Sequence, residues 1–325
     1  MPVKNYPSPA SQYPIGVIIP TYNRSKVLLS CLHHLERQTT TEFEVIVVDD
    51  GSTDSTPQVL EEYQRLTPLH LRCIRQNNGR QARARNTAIS VLQAPICLMI
   101  GDDILASPDL VFKHLELHRQ RPEIQMAGLG LTRWSESGQT VTKLMRWLEE
   151  SGIESSYNDL LRGVRPDWKH FYTGNISLKT ALLRENPFNE SFTRYGMEDI
   201  ELGYRLERQR DLEVIFIPGA LTHHLHPTNF RQTCRRRFDV GSSCRLFHEL
   251  WPDSALPRRT SPLRRRFQSF MVRNPWLLPP LTTLADIVTS VWCPNPLMRA
   301  TLSFHYHLGY HSIPSPGQES SAPSK

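Results

Sequence analysis

The chain has no uninterrupted apolar run long enough to span a bilayer; the nearest, Trp276 to Trp292, contains Pro279, Pro280 and Asp286. A spanning anchor is therefore not expected there. The first residues, Met1 to Tyr13, are rich in Pro, Ser and Tyr and lack a charged start followed by an apolar stretch, so no signal peptide is read in them. The six cysteines, Cys31, Cys73, Cys97, Cys234, Cys244 and Cys293, form no Cys-x-x-Cys pair. That spacing argues against a disulfide framework and fits a reducing compartment, so a cytoplasmic location is expected. Cys31 and Cys97 sit inside apolar runs and read as small core residues. There is no internal repeat.

What remains is a chain of 325 residues with a net charge of +6, ordinary in apolar content and able to bury a sizeable core. Its charge is uneven. Eleven arginines lie between Arg231 and Arg273, against Asp239, Glu249 and Asp253. Such a stretch suits phosphate, nucleic acid, an anionic membrane surface or simply a solvated helical face. No nucleic-acid motif accompanies it, which ranks nucleic acid low.

Two apolar runs end abruptly in polar residues: Ile15 to Pro20 before Thr21-Tyr22-Asn23-Arg24, and Val45 to Val48 before Asp49-Asp50-Gly51-Ser52-Thr53-Asp54. They read as buried parallel strands whose carboxyl ends open into loops, where open α/β sheets bind ligands. An aromatic ring beside carboxylates suits a base and a ribose. Between and after these runs, Val27, Leu28, Cys31, Leu32 and Leu35 mark one helical face, and Thr56-Pro57 reads as a helix start. Further strands are expected near 69–74, 95–100, 124–131 and 213–217. Helices are expected near 80–92, 107–120, 143–150 and 197–209. Alternating β and α elements imply a parallel sheet covered on both faces. From about Asn229 the pattern is helical and basic. Residues 1–13 and 313–325 are expected to be disordered tails.

The chemistry-bearing groups stand in a set order: Pro20 to Arg24, Val48 to Asp54, Asn78-Gly79 with Ala84-Arg85-Asn86, Gly101-Asp102-Asp103, and the run Tyr195-Gly196-Met197-Glu198-Asp199-Ile200-Glu201-Leu202-Gly203-Tyr204-Arg205-Leu206. His223, His224 and His226 follow. Over residues 14–230 this order resembles the family-2 glycosyltransferases with the GT-A fold. The resemblance implies a mostly parallel α/β sheet with flanking helices at 14–230; the helical, basic pattern beyond it reads as an appendage at 231–312. The resemblance also implies that Thr21 and Tyr22 line a base pocket, that Asp50 bonds the base with Asp49 or Asp54 supporting the loop, and that Arg85, with Arg80 and Arg83 as rivals, meets phosphate. Asp102 and Asp103 would hold a divalent metal, Mn or Mg, with His224 first and His226 next as the completing histidine. The family's usual Asp-x-Asp is altered here: Ile100 or Gly101 stands in place of one carboxylate. Asp199, beside Glu198, would be the general base.

Asn175, in Thr173-Gly174-Asn175, resembles an acceptor-side residue. Trp134, Trp147 and Trp168 are read as acceptor-stacking, core or lid residues. His114 and His118 are spaced like a metal pair but read as ordinary helix residues, and Phe188-Asn189-Glu190 as a structural turn. The implied activity is inverting transfer of a sugar from a nucleotide sugar, UDP-linked by resemblance, to a glycan, lipid-linked or other hydroxyl. The rivals are a retaining transferase and a non-catalytic nucleotide- or glycan-binding protein on the same scaffold. Arg258, Arg259 and Arg264–Arg266, before an apolar face of Leu281, Leu284, Ile287, Val288 and Val291, allow peripheral contact at the inner face of a membrane; packing within the protein is the other reading.

Overall fold

The computed structural model describes residues 12–254, 274, 276, 278–291 and 295–312. Two units pack separately. The first comprises residues up to Thr193 with Glu198–Pro227, and the second comprises Arg194–Met197 with the chain from Thr228.

The first unit alternates β1 (Ile15–Thr21), α1 (Ser25–Leu35), β2 (Phe43–Asp49), α2 (Thr56–Leu66), β3 (His70–Arg75), α3 (Arg80–Val91) and β4 (Ile96–Ile100). A three-residue β5 (Ile104–Ala106) and α4 (Leu110–Gln120) follow. Next come β6 (Met126–Trp134), α5 (Lys143–Ser151), α6 (Tyr157–Leu161), β7 (Asn175–Lys179), α7 (Thr180–Glu185), α8 (Glu198–Arg210) and β8 (Glu213–His224). One eight-stranded sheet runs in the order β3-β2-β1-β4-β7-β6-β8-β5. The strands β3, β2, β1 and β4 are mutually parallel, as is the β6–β8 pair. The β4–β7, β7–β6 and β8–β5 pairings are antiparallel.

Side chains of a strand alternate between faces, so a strand covered on both sides must be apolar throughout. This is why β1 and β2 read as continuous apolar runs. Ile18, Ile46 and Val48 join the core under α3, with Ala88, Leu92, Cys97 and Met99. Val17, Ile19, Val45 and Val47 join the opposite core with Leu28, Cys31, Leu32 and Leu35 of α1. Cys31 and Cys97 are fully buried, as the sequence indicates.

Two strands, β6 and β8, outrun their sequence signals, β6 by reaching Trp134 rather than Leu131. The expectation for β8 stopped at Ile217, before Pro218-Gly219, yet the strand continues to His224. Its pairing with β6 jumps from Gly130↔Ile217 to Leu131↔Leu221, so Pro218 sits in a bulge where its missing N–H costs no ladder bond. The bulge lets β8 carry His224 beyond the end of the expected strand. At the N-terminus, Tyr13 packs its ring 4.6 Å from that of His70, so Tyr13 does not belong to the expected 1–13 tail; residues 1–11 and 313–325 lie outside the described residues.

In the second unit α9 (Phe230–Leu250) opens with a reciprocal cap: Gln232 N–H donates to Asn229 Oδ1, and Asn229 N–H to Gln232 Oε1. It packs against helix Asn295–His311 at Gly241 and Gly309, where a Cβ would overlap the carbonyls of Tyr306 and Phe238. Helix Leu278–Val291 leaves Leu284 and Ile287 more than half exposed, with Trp276 exposed before it. The arginines at 258, 259 and 264–266 lie outside the described residues, as do the side chains of Leu281 and Val291. Among the described residues no helix is long and apolar enough to cross a membrane.

Candidate active site

At the carboxyl end of β4 the chain turns through Gly101-Asp102-Asp103, closed by Ile104 N–H donating to Gly101 O at 3.3 Å. The turn directs two carboxylates inward, leaving Asp102 5% and Asp103 8% exposed. Buried like charges need counter-charge and donors. Thr21, at the end of β1, donates Oγ1–H to Asp102 Oδ2 at 2.7 Å. Arg24 spans the pair, with Nη1 2.9 Å from Asp102 Oδ1 and Nη2 2.9 Å from Asp103 Oδ2.

Two histidines arrive from β8 and the residues after it. His224 pairs in register with Ile104, and its Nε2 lies 3.1 Å from Asp103 Oδ2; His226 Nδ1 lies 3.2 Å from the same oxygen. These three ligand atoms fall within 4.8 Å of one another. Strand alternation turns His223 to the opposite face. Trp134, the cross-strand neighbour of His224 on β6, stacks on it at 5.2 Å and 5°, and His224 stacks on His226 at 5.2 Å. Trp134 Nε1–H donates to Met145 O at 2.8 Å, which fixes the ring. This tryptophan orients a histidine. Trp168 is buried edge-on to Tyr204 and belongs to the core.

Burial pushes Asp102 up to about 6, against the opposing pull of Arg24. Asp103 suffers the same burial, but His224, His226 and Arg24 outweigh it and hold the carboxyl well below its ordinary range.

A second region lies beyond the ends of β2 and β3. A cavity of about 610 Å³ is lined by Gly51, Arg75, Gln76, Asn77 and Asn78. Tyr22, directly after β1, is 37% exposed, whereas Thr21 is 3% exposed and donates to Asp102. Asp50 is buried and engaged with a neighbouring loop. Its Oδ1 accepts from Gln76 Nε2 at 2.7 Å and Gly79 N at 2.8 Å, and its Oδ2 from Arg80 N at 2.8 Å. The carboxylate therefore latches the 76–80 loop that walls the cavity. Burial still raises its pKa despite those bonds. Asp49 Oδ1 accepts from Ser52 N and Asp54 Oδ1 from Thr56 N, both at 2.9 Å, so each holds its own loop. Asn23, at φ 54, uses Oδ1 to accept from Thr53 N and Asp54 N, tying the first loop to the second. The polar run Arg75 to Asn78 at the end of β3 is the signal that would have found this wall.

The third region is the start of α8. Glu198, Asp199 and Glu201 occupy its first turn, after Gly196 and Met197 at φ 84 and 75. Arg85 does not meet open solvent as a phosphate contact would. It is buried, with Nη1 2.9 Å from Glu198 Oε1 and its guanidinium 5.5 Å from the Phe188 ring centroid. Its rivals Arg80 and Arg83 are exposed. Asn86 clamps Phe188 through both backbone groups and also bonds Glu190, so the Phe188-Asn189-Glu190 turn is structural. Asp199 accepts from Ile200 N at 2.8 Å and faces Thr173 Oγ1 at 3.5 Å. Burial, with the neighbouring Glu198 charge, pushes it up to about 7; Arg85 and the backbone donors pull the other way.

Asn175 is corrected. It is fully buried and faces no acceptor: Nδ2–H donates to Ala220 O at 2.9 Å and Leu131 O at 3.3 Å, and Oδ1 lies 2.9 Å from His114 Nε2. His114 and His118 both reach Ser177 Oγ, forming a buried polar tie between α4 and β7. Burial drives His114 down to about 4, so it is neutral at pH 7.

The sequence profile described as glycosyl transferase family 2 matches residues 16–185, more than half of the chain. The chain belongs to glycosyl transferase family 2. It is a glycosyltransferase of the nucleotide-sugar-dependent kind. Validoxylamine A glucosyltransferase of Streptomyces hygroscopicus subsp. jinggangensis (strain 5008) is 32% identical over 273 residues, 71% of this chain and 62% of that one. The glycosyltransferase YfnE of Bacillus subtilis (strain 168), itself uncharacterized, is 29% identical over 285 residues, 72% and 71% of the two chains. Among solved structures, the mannosyltransferase PcManGT of Pyrobaculum calidifontis, in complex with GDP-Man and Mn2+, superposes with a TM-score of 0.58 at 19% identity, covering 95% of this chain and 89% of that one. TarS 1-349 of S. aureus gives 0.55 at 19% identity over 91% and 90%. The fold of the family member described here is therefore GT-A.

Proposed function

We propose that this glycosyltransferase inverts the anomeric centre, takes a UDP-linked sugar, uses a divalent cation and employs Asp199 as its general base. The observation that carries the reading is the setting of Asp199: a carboxylate in the first turn of α8, beside a Glu198 held by Arg85 and 3.5 Å from Thr173 Oγ1, with its pKa pushed up to about 7, where a base works best at neutral pH. The intact Glu198-Asp199 pair argues against a non-catalytic descendant, and a retaining enzyme would not need this base. The acceptor is a glycan, lipid-linked or other hydroxyl. TarS has been solved with UDP and with UDP-GlcNAc, which supports the UDP assignment for a chain of the same fold.

The donor set of Asp103, His224 and His226 fits a divalent cation, because one carboxylate oxygen and two ring nitrogens converge within 4.8 Å. Two imidazoles favour manganese over magnesium, which prefers an all-oxygen shell. Asp103, His224 and His226 would hold the cation, whose Lewis acidity would offset the charge on the departing diphosphate. The chain's own groups do the rest. The acceptor oxygen bonds to the anomeric carbon as the bond from that carbon to the diphosphate breaks. The electron pair leaves with the nucleoside diphosphate, and the hydroxyl proton passes to Asp199. Glu198, held by Arg85, keeps negative charge beside Asp199 and so sustains its basicity.

A donor-hydrolysis screen tests the reading: release of nucleoside diphosphate from UDP-, GDP- and dTDP-sugars, with Mn2+ or EDTA. Release from UDP-sugars that depends on Mn2+ is expected. A preference for GDP- or dTDP-sugars overturns the UDP assignment, and no release from any donor favours the binding-protein alternative.

Cytoplasmic location with peripheral membrane contact belongs to the same reading. Leu284 and Ile287, three residues apart on one helix face, and Trp276 are exposed, and Arg258, Arg259 and Arg264–Arg266 precede them in sequence. The protein is expected to sediment with vesicles containing anionic lipid at low salt and to be released as salt screens the charge. Protein left in the supernatant at low salt would retire the membrane contact.

A further inference from the structure

Arg24 occupies an unusual place for a residue outside every expected role. Its Nη2 stands 2.9 Å from Asp103 Oδ2 and 2.9 Å from His226 Nδ1, two of the three converging ligand atoms. A guanidinium carries only donors, so this contact is a hydrogen bond in the tautomer that leaves Nδ1 its lone pair; with the proton on Nδ1 the nitrogen instead donates to Asp103 Oδ2, 3.2 Å away. An imidazole nitrogen has a single in-plane lone pair. A metal needs that same lone pair, at a bond length of about 2.0–2.2 Å. Arg24 and a metal ion cannot both hold Nδ1.

We propose that Arg24 is the resident counter-cation of this site and must vacate it before a divalent cation can bind; the proposal rests on the cation reading above. The backbone of Arg24 is anchored while its side chain has a way out. Arg24 N–H donates to Thr56 Oγ1 at 3.2 Å, and its carbonyl accepts from Leu28 N at 3.0 Å at the start of α1. The side chain beyond is 32% exposed, against 6% and 11% for the two aspartates it spans. On its release Asp102 keeps the bond from Thr21. In the metal-free state Arg24 lets two carboxylates sit buried side by side, which they would otherwise resist. The same contact lowers the affinity of the site for any cation, since the cation must displace a charged partner first.

Titration of the full chain with Mn2+ alone, following free Mn2+ by electron paramagnetic resonance, tests this. Arg24→Met removes the charge, and Arg24→Gln serves as a second variant if the first does not fold. Either variant is expected to bind Mn2+ tenfold or more tightly than the wild type. Without metal, either should melt at a lower temperature than the wild type, and saturating Mn2+ should restore the difference. Equal or weaker Mn2+ binding by folded variants, with clear binding by the wild type, overturns the displacement while leaving the cation site intact. No Mn2+ binding by the wild type or by either variant overturns the cation reading and the displacement together.

Discussion

Asp199→Asn should lower the transfer rate by about two orders of magnitude or more, the usual scale for loss of a positioned general base. An alcohol is a weak nucleophile, and asparagine has the shape of aspartate without its capacity to take a proton. Donor affinity should hardly change, because the base acts on the acceptor. The pH profile provides an independent check. Asp199 stands at about 7, raised first by burial and then by the charge of Glu198. A base must be unprotonated to work, so wild-type turnover should rise with pH through about 7 and level off above it. That acid limb should vanish in Asp199→Asn. A variant that loses nucleotide-sugar affinity but turns over bound substrate normally would show that Asp199 has another job. So would one that retains the same acid limb.

The parts of this molecule that were legible in the sequence are those whose cause is local. Ile15–Thr21 and Phe43–Asp49 are buried on both faces, so the covering helices on each side stamp a continuous apolar run on the chain. The Asp102-Asp103 turn stands out because it terminates another such run, at Ile100. The illegible parts depend on partners far away in the chain. Arg24 meets Asp102 across 78 residues and His226 across 202, and no spacing rule connects them. Asn175 sits in a small polar run that reads as an open loop. It is buried in β7 because His114, 61 residues earlier, and Ala220, 45 later, satisfy its amide. Pro218-Gly219 read as the end of a strand, since proline lacks a ladder donor, but a bulge absorbed both residues and the strand resumed. Asp50 stands out in the sequence, but its partners in the 76–80 loop do not. A carboxylate after a buried strand can face a ligand or bind its own neighbouring loop, and only the fold distinguishes them.

Asp103→Ala should abolish cation-dependent transfer, with a loss of at least about two orders of magnitude, because a Lewis acid at a departing diphosphate supplies several kcal/mol. Asp103 should matter more than Asp102. Its Oδ2 gathers His224, His226 and Arg24, whereas Asp102 is bonded by Thr21 and Arg24 and lies outside the converging set. Removing one partner from a buried charge cluster carries its own penalty, of about 3–5 kcal/mol when the remaining charge is left unopposed. A fall in activity from Asp103→Ala alone would thus conflate folding with chemistry. Asp103→Asn separates them: it retains volume and hydrogen bonding but not the negative charge that a cation requires. Folded Asp103→Asn, checked by its melting curve, should neither bind Mn2+ nor respond to it in donor hydrolysis, and Asp102→Asn should retain part of both. EDTA should bring the wild type down to the level of Asp103→Asn. Full activity in EDTA, or in folded Asp103→Asn, would mean that the charge on the diphosphate is offset by the chain's own cations, with Arg24 the nearest candidate at this turn.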